Sequence, residues 1–115
     1  MPPPDRGPAL HVHQYACGDS WVVAAAGDLD AQTLPPLQRA LEAAAMRRQI
    51  VVFDASAVPF ADSSTLNLLL QTHRTTRLRI AGAQPQLLRI LEMTGTDATL
   101  ALYPTVTEAC AAVVS

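Results

Sequence analysis

The chain has 115 residues, enough for one domain with its own core and too few for two. Half of the residues are apolar, 16% are charged and the formal net charge is −2; this excludes a disordered chain and argues against a general electrostatic grip on nucleic acid or an anionic membrane. Aromatic residues make up only 4%, so no stacking platform for bases is visible, and no apolar run approaches the ~20 residues of a membrane span.

Residues 1–8, rich in proline, lack the apolar segment of a signal peptide and read as a disordered tail, which leaves 9–115 as the domain. Residues 10–15 alternate apolar and polar, as in a half-buried edge strand, with His11, His13 and Tyr15 on one face. The i, i+2 histidines have no third ligand, so no metal site is assigned. Cys17-Gly18-Asp19-Ser20 is a turn, and 21–26 returns as the second strand of a hairpin. Gly27-Asp28-Leu29-Asp30 ends that strand: Gly27 permits a turn and Leu29 can plug the core. Asp28 and Asp30 either cap backbone N–H groups or face a partner. Thr33 is a good N-cap, Pro35 and Pro36 suit a first turn, and Leu34, Leu37, Leu41 and Ala44 or Ala45 form an apolar stripe. That helix should run to about 46–48 and cross over to a parallel strand at 50–53.

Val51-Val52-Phe53-Asp54 opens as a buried strand, Pro59 breaks the linker, and Asp62-Ser63-Ser64 starts a helix expected to reach about Thr75. Leu66, Leu69, Leu70 and His73 recur at the spacing of one helix face. Ser63 and Ser64 then sit at the positive end of a helix, where backbone N–H groups are free. Either a serine caps the helix, or a serine is displayed for modification; a phosphate there adds about −1.5 to −2 charge, which the free N–H groups tolerate. Arg74, Arg77 and Arg79 read as complements of a helix dipole or as a cluster that meets an acidic partner. A strand at 78–81, a turn at 82–85 and a helix burying Leu87, Leu88, Ile90 and Leu91 follow, with Gly95 as its left-handed cap. Residues 100–103 form a last strand. Thr105 and Glu108 have capping-box spacing and start a final helix through Ala109, Cys110, Ala112 and Val113.

Several of these stretches together resemble the STAS family, the domain shared by sulfate transporters and bacterial anti-sigma factor antagonists. The resembling motifs are Gly27-Asp28-Leu29-Asp30, the strand ending in Asp54, Asp62-Ser63-Ser64, and Leu87-Leu88-Arg89-Ile90-Leu91-Glu92 with Thr94-Gly95. The resemblance runs from about Leu10 to Val114. It implies a single α/β domain with a mixed sheet of four to five strands and about four helices, an N-terminal hairpin followed by βα units. It implies that Ser63, directly after Asp62, is the serine phosphorylated by an anti-sigma factor that is a kinase. The implied partner surface is Asp28, Asp30, Asp62, Ser63, Ser64, Thr65 and Asn67. Thr65 and Asn67 replace two glycines of the family pattern, and Thr65 is expected to place a β-branched side chain on that surface.

The implied function is that of a cytoplasmic anti-sigma factor antagonist, released from its partner by phosphorylation and reset by a phosphatase, with no direct contact to nucleic acid and no membrane insertion. The alternatives are a STAS scaffold or transporter-accessory subunit that is never phosphorylated, and a nucleotide or small-ligand sensor. The chain has no GxSxG elbow, P-loop or HExxH motif, and Ser63 and His73 lie ~15 Å apart along one helix, so no catalytic residue and no cofactor are assigned. Cys17 and Cys110 lack CxxC spacing and read as two reduced thiols, a disulfide between them being left open.

Overall fold

The computed structural model describes residues 10–112. The tail expected over 1–8 and Val113 lie outside the described residues, and the last helix, expected to continue through Ala112, ends at Ala111 with Ala112 extended. Five strands form one mixed sheet in the order β1-β2-β3-β4-β5: β1 (His11–Cys17), β2 (Ser20–Ala26), β3 (Ile50–Ala57), β4 (Arg77–Ala81) and β5 (Ala101–Tyr103). The β1–β2 hairpin is antiparallel and every later pairing is parallel. Three helices connect the strands, α1 (Pro35–Arg47), α2 (Ser63–His73) and α3 (Pro85–Met93), and a fourth, α4 (Val106–Ala111), follows β5. The expected α/β architecture, with its hairpin followed by βα units, is what forms.

The alternation of side chains along each strand divides the sheet into two unequal layers. Val23, Ala25, Val51, Phe53, Leu78 and Ile80 point to the main core, where Leu37 and Leu41 of α1, Leu69 of α2 and Leu87 and Leu91 of α3 meet them. Val22, Val52 and Ala81 point to the other face, covered in part by Ala109 of α4. β1 is one of the two edge strands and is more exposed than expected, since only Val12 and Cys17 are half-buried. Along β1, His13 stacks on Tyr15 at 5.9 Å, and across the hairpin the Trp21 indole N–H donates to Gln14 Oε1 at 2.8 Å. Trp21 also carries the Arg48 guanidinium 4.7 Å from its ring.

Several boundaries differ from the sequence reading. α1 begins at Pro35 and Thr33 does not cap it; the Thr33 hydroxyl instead donates to the Asp28 carbonyl at 2.8 Å and closes the preceding turn. β3 continues to Ala57. α2 ends at His73, whose Nδ1 accepts from the Leu78 N–H at 3.3 Å. The buried face of α2 is Thr65, Leu68, Leu69 and Thr72, one position off the expected stripe of Leu66, Leu69, Leu70 and His73. In α3 only Leu87 and Leu91 are buried. A 3₁₀ turn, Thr96–Ala98, lies between α3 and β5 and was not foreseen.

Arg79 leaves the expected surface cluster altogether. It is buried, its Nη1 donates to the carbonyls of Ala109 at 2.7 Å and Ala112 at 3.1 Å, and it lies over Tyr103. A guanidinium is here the partner of carbonyls that the end of α4 leaves without intrahelical donors. Arg74 and Arg77 remain exposed.

Candidate functional site

The candidate site forms where the parallel strands β2 and β3 end. Between Ala24 and Ala26 the β2–β3 register shifts, so that β3 gains one residue on β2. The two outgoing loops then continue as a loose parallel pair. Gly27, at a φ of 122° that only glycine adopts without strain, donates its N–H to the Ala57 carbonyl at 3.0 Å. Leu29 bridges to Ala61; its N–H donates to the Phe60 carbonyl at 2.9 Å and its carbonyl accepts from the Asp62 N–H at 3.1 Å. Leu29 itself is fully buried, the core plug its motif suggested. Loop 27–33 is thereby fixed against the start of α2.

Asp30 organises its own loop. Its Oδ1 accepts from the N–H groups of Gln32 at 2.9 Å and Thr33 at 3.0 Å, while the Thr33 Oγ1 accepts from the Asp30 N–H at 3.0 Å. Asp30 is therefore a turn cap, half-buried, and Asp28 beside it is exposed. The capping role that the sequence offered is thus filled by Asp30 Oδ1, while its Oδ2 accepts no hydrogen bond among the described residues.

Asp62, not a serine, is the N-cap of α2. Its carboxylate accepts from the N–H groups of Ser64 at 3.0 Å and Thr65 at 3.3 Å and from the Ser64 hydroxyl. The Ser64 hydroxyl holds the Asp62 carboxyl below the usual aspartate value of 3.8, helped by the N–H groups of Thr65, Ser64 and Ala31, with partial burial opposing. The folded-state value thus lies below the unfolded one. The charged cap contributes fully above the unfolded value and is lost as pH falls through the folded one. Asp62→Ala is expected to cost about 1 kcal/mol at neutral pH. Asp62→Asn is expected to flatten the acid limb of a thermal-midpoint profile as pH falls below the unfolded aspartate value, checked by calorimetry.

Ser63 is the first residue of α2 and is exposed. Its hydroxyl makes no hydrogen bond among the described residues, whereas that of Ser64 is tied to Asp62. Asn67 is exposed one turn on, on the same face as Ser63. Thr65 corrects the sequence reading: it is fully buried and faces the core, away from the surface that carries Ser63. Its Oγ1 is a buried hydroxyl without a hydrogen-bond partner among the described residues. An unpaired buried hydroxyl costs about 1–3 kcal/mol, so Thr65→Val is expected to stabilise the protein by about 1 kcal/mol. A raised thermal midpoint is the readout.

Two contributors were not anticipated. Gln86 of α3 clamps Ala61 from both sides: its Oε1 accepts from the Ala61 N–H at 2.8 Å and its Nε2 donates to the Ala61 carbonyl at 2.9 Å. Phe60, in the same linker and three residues before Ser63 in the chain, is 44% exposed and offers an apolar contact. Only its place in the linker, next to Pro59, signals this in the sequence. Among the described residues no group of three His, Cys, Asp or Glu is placed to hold a metal, and no helix is long and apolar enough to cross a membrane.

A sequence model of the STAS domain matches residues 13–109. No curated protein matches the sequence. The crystal structure of an anti-sigma factor antagonist from Mycobacterium paratuberculosis is similar over 88% of this chain and 91% of its own, with 30% identity and a TM-score of 0.81. The phosphorylated form of the Bacillus cell-fate determinant SpoIIAA is 18% identical over 88% of this chain and 96% of its own, with a TM-score of 0.66. A sulfate transporter family protein from Wolinella succinogenes is 17% identical over 81% of this chain and 83% of its own, with a TM-score of 0.68. The last two likenesses carry the fold alone.

Proposed function

This chain belongs to the STAS domain family, and we propose that it acts there as a cytoplasmic anti-sigma factor antagonist switched off by phosphorylation of Ser63. The observation that carries the reading is the division of labour between the two serines. Asp62 occupies the cap and engages the Ser64 hydroxyl, while the Ser63 hydroxyl stands exposed on the first turn of α2. A kinase can reach that oxygen without unwinding the helix. The partner surface comprises Asp28, Asp30 and the exposed faces of Ser63 and Asn67, with Phe60 as its apolar anchor. Thr65 supports this surface from beneath and does not obstruct it.

ATP and its magnesium ion belong to the anti-sigma factor kinase, and a phosphatase resets the serine. This chain supplies a surface and an acceptor oxygen and is regulatory, not catalytic. The likeness to a sulfate transporter family protein favours a second reading, an unphosphorylated accessory or scaffold subunit. Of the two glycine replacements that favour that reading, Thr65 is buried and leaves the surface clear, and Asn67 alone stands on it. A nucleotide or anion sensor at the α2 N-terminus is disfavoured because the Asp62 carboxylate already occupies those N–H groups.

The test is to mix the protein with Mg-ATP and each candidate anti-sigma kinase from its own genome, then read intact mass and peptide maps. One phosphate on Ser63, absent from Ser63→Ala, is the expected result. A stable complex with no phosphate would replace the switch with a constitutive binding module.

A further inference from the structure

Cys17 ends β1 and Cys110 lies in α4, yet the fold brings them together. Cys17 is paired across the hairpin with Ser20, and Ser20, Arg79 and Cys110 line one recess between the hairpin turn and α4. Both cysteines are half-buried and pack against the same small cluster of Val22, Val52, Ala81 and Ala109. The two side chains therefore share one face of the sheet and one packing cluster. Two thiols from opposite ends of a chain rarely share a site unless something holds both backbones, and here the sheet holds one and Arg79 the other. We propose that Cys17 and Cys110 are a redox-active pair that closes to an intramolecular disulfide when the protein meets a low-molecular-weight disulfide such as oxidised glutathione, stapling α4 to the edge hairpin.

The exchange runs in two steps. Cys17, having lost its proton to solvent, attacks one sulfur of glutathione disulfide; that S–S bond breaks, a mixed disulfide forms and one glutathione thiolate leaves. Cys110 then loses its proton to solvent and displaces the second glutathione, forming the Cys17–Cys110 bond. Two protein thiols are oxidised and one glutathione disulfide is reduced to two glutathione thiols. The order follows from environment. Burial, and then the neighbouring Cys17 thiol, push the Cys110 thiol up to about 12, so Cys110 is the poorer first nucleophile and serves as the resolving thiol. α4 has only six residues, too few to be stable by itself, and depends on its docking contacts. A covalent tie at Cys110 holds that docking. The staple sits at the opposite end of β2 from Gly27, so it does not depend on the anti-sigma reading of Ser63.

The full-length protein would be equilibrated in glutathione redox buffers, natively and in urea, quenched with acid, and read by intact mass and peptide mapping. Under native conditions the expected product is one species lighter by about 2 Da, mapping to a Cys17–Cys110 peptide and reversed by dithiothreitol. Its effective concentration is expected to exceed that in urea by at least tenfold, since a disulfide that fits the fold is favoured by it. The single variants Cys17→Ser and Cys110→Ser should each stop at one bound glutathione. A native effective concentration equal to or below that in urea would overturn the proposal, as would a native product bearing glutathione on both cysteines. The native-to-urea comparison uses the unaltered chain and holds even if a variant folds poorly.

Discussion

Phosphate on Ser63 is expected to weaken the complex with the anti-sigma factor by about a hundredfold or more, close to 2.7 kcal/mol. Within the molecule the group is tolerated. Ser63 is at the first position of α2, where the helix dipole favours negative charge, and its side chain is exposed. Across an interface it is not. The modification adds about −1.5 to −2 charge to a surface that already carries Asp28, Asp30 and Asp62, and it must be desolvated or held apart from the partner. The N–H groups that would otherwise compensate it are partly committed, because those of Ser64 and Thr65 already donate to Asp62. Titration calorimetry with unmodified, phosphorylated and Ser63→Ala proteins separates charge from shape. Ser63→Ala should bind within tenfold of the unmodified chain, and the phosphorylated protein should unfold at nearly the same temperature. Phosphorylated protein that binds within threefold of the unmodified form would sink the switch, whatever the kinase assay shows.

How far the site was readable depends on how local each interaction is. Asp62 before a helix and Gly27 after a strand act on neighbours a few residues away, so their residue types announce the turn and the cap. Even there, which of Asp62, Ser63 and Ser64 would take the cap depended on where the helix entered. The misassignment of Thr65 went uncorrected for a geometric reason. Consecutive residues on a helix are about 100° apart, and the run Leu68-Leu69-Leu70 is apolar through all three directions. The stripe through Leu66 and Leu70 and the stripe through Thr65 and Leu68 share Leu69, and polarity alone favours the wrong one. Thr65 was expected on the surface because it stands where the family pattern has a glycine, the stripe through Leu66 and Leu70 did not contradict that, and it is buried. Arg79 and Gln86 were unreadable for another reason. Their partners, the carbonyls ending α4 and the backbone of Ala61, lie far away in the sequence and carry no side-chain signature. An arginine in a five-residue strand looks like a surface residue until the helix that covers it is in place.

Gly82→Ala is expected to destabilise the fold by about 2–4 kcal/mol, lowering the thermal midpoint by roughly 10 °C or more. Gly82 follows β4 at a φ of 68°, in the left-handed region, and its N–H donates to the Tyr103 carbonyl at 2.9 Å. A side chain costs about 1–2 kcal/mol in that conformation alone. The larger difficulty is space. A Cβ on Gly82 would stand 2.9 Å from the Ser56 Cβ and 3.3 Å from its Cα. Neither atom can turn away, because both belong to the end of β3, which is held by the Gln84 Nε2 donating to the Ser56 carbonyl at 2.8 Å. Relief therefore requires β3 and the β4–α3 turn to separate. That same turn leads directly into the helix whose Gln86 clamps Ala61, so the strain propagates toward Ser63. A double-mutant cycle with Ser56→Gly divides the two costs. Ser56 is exposed, and its Cβ is the nearest obstruction, so removing it should recover about half of the loss while leaving the conformational part. Strict additivity of the two substitutions in urea unfolding would show that crowding against Ser56 is not what excludes a side chain at Gly82.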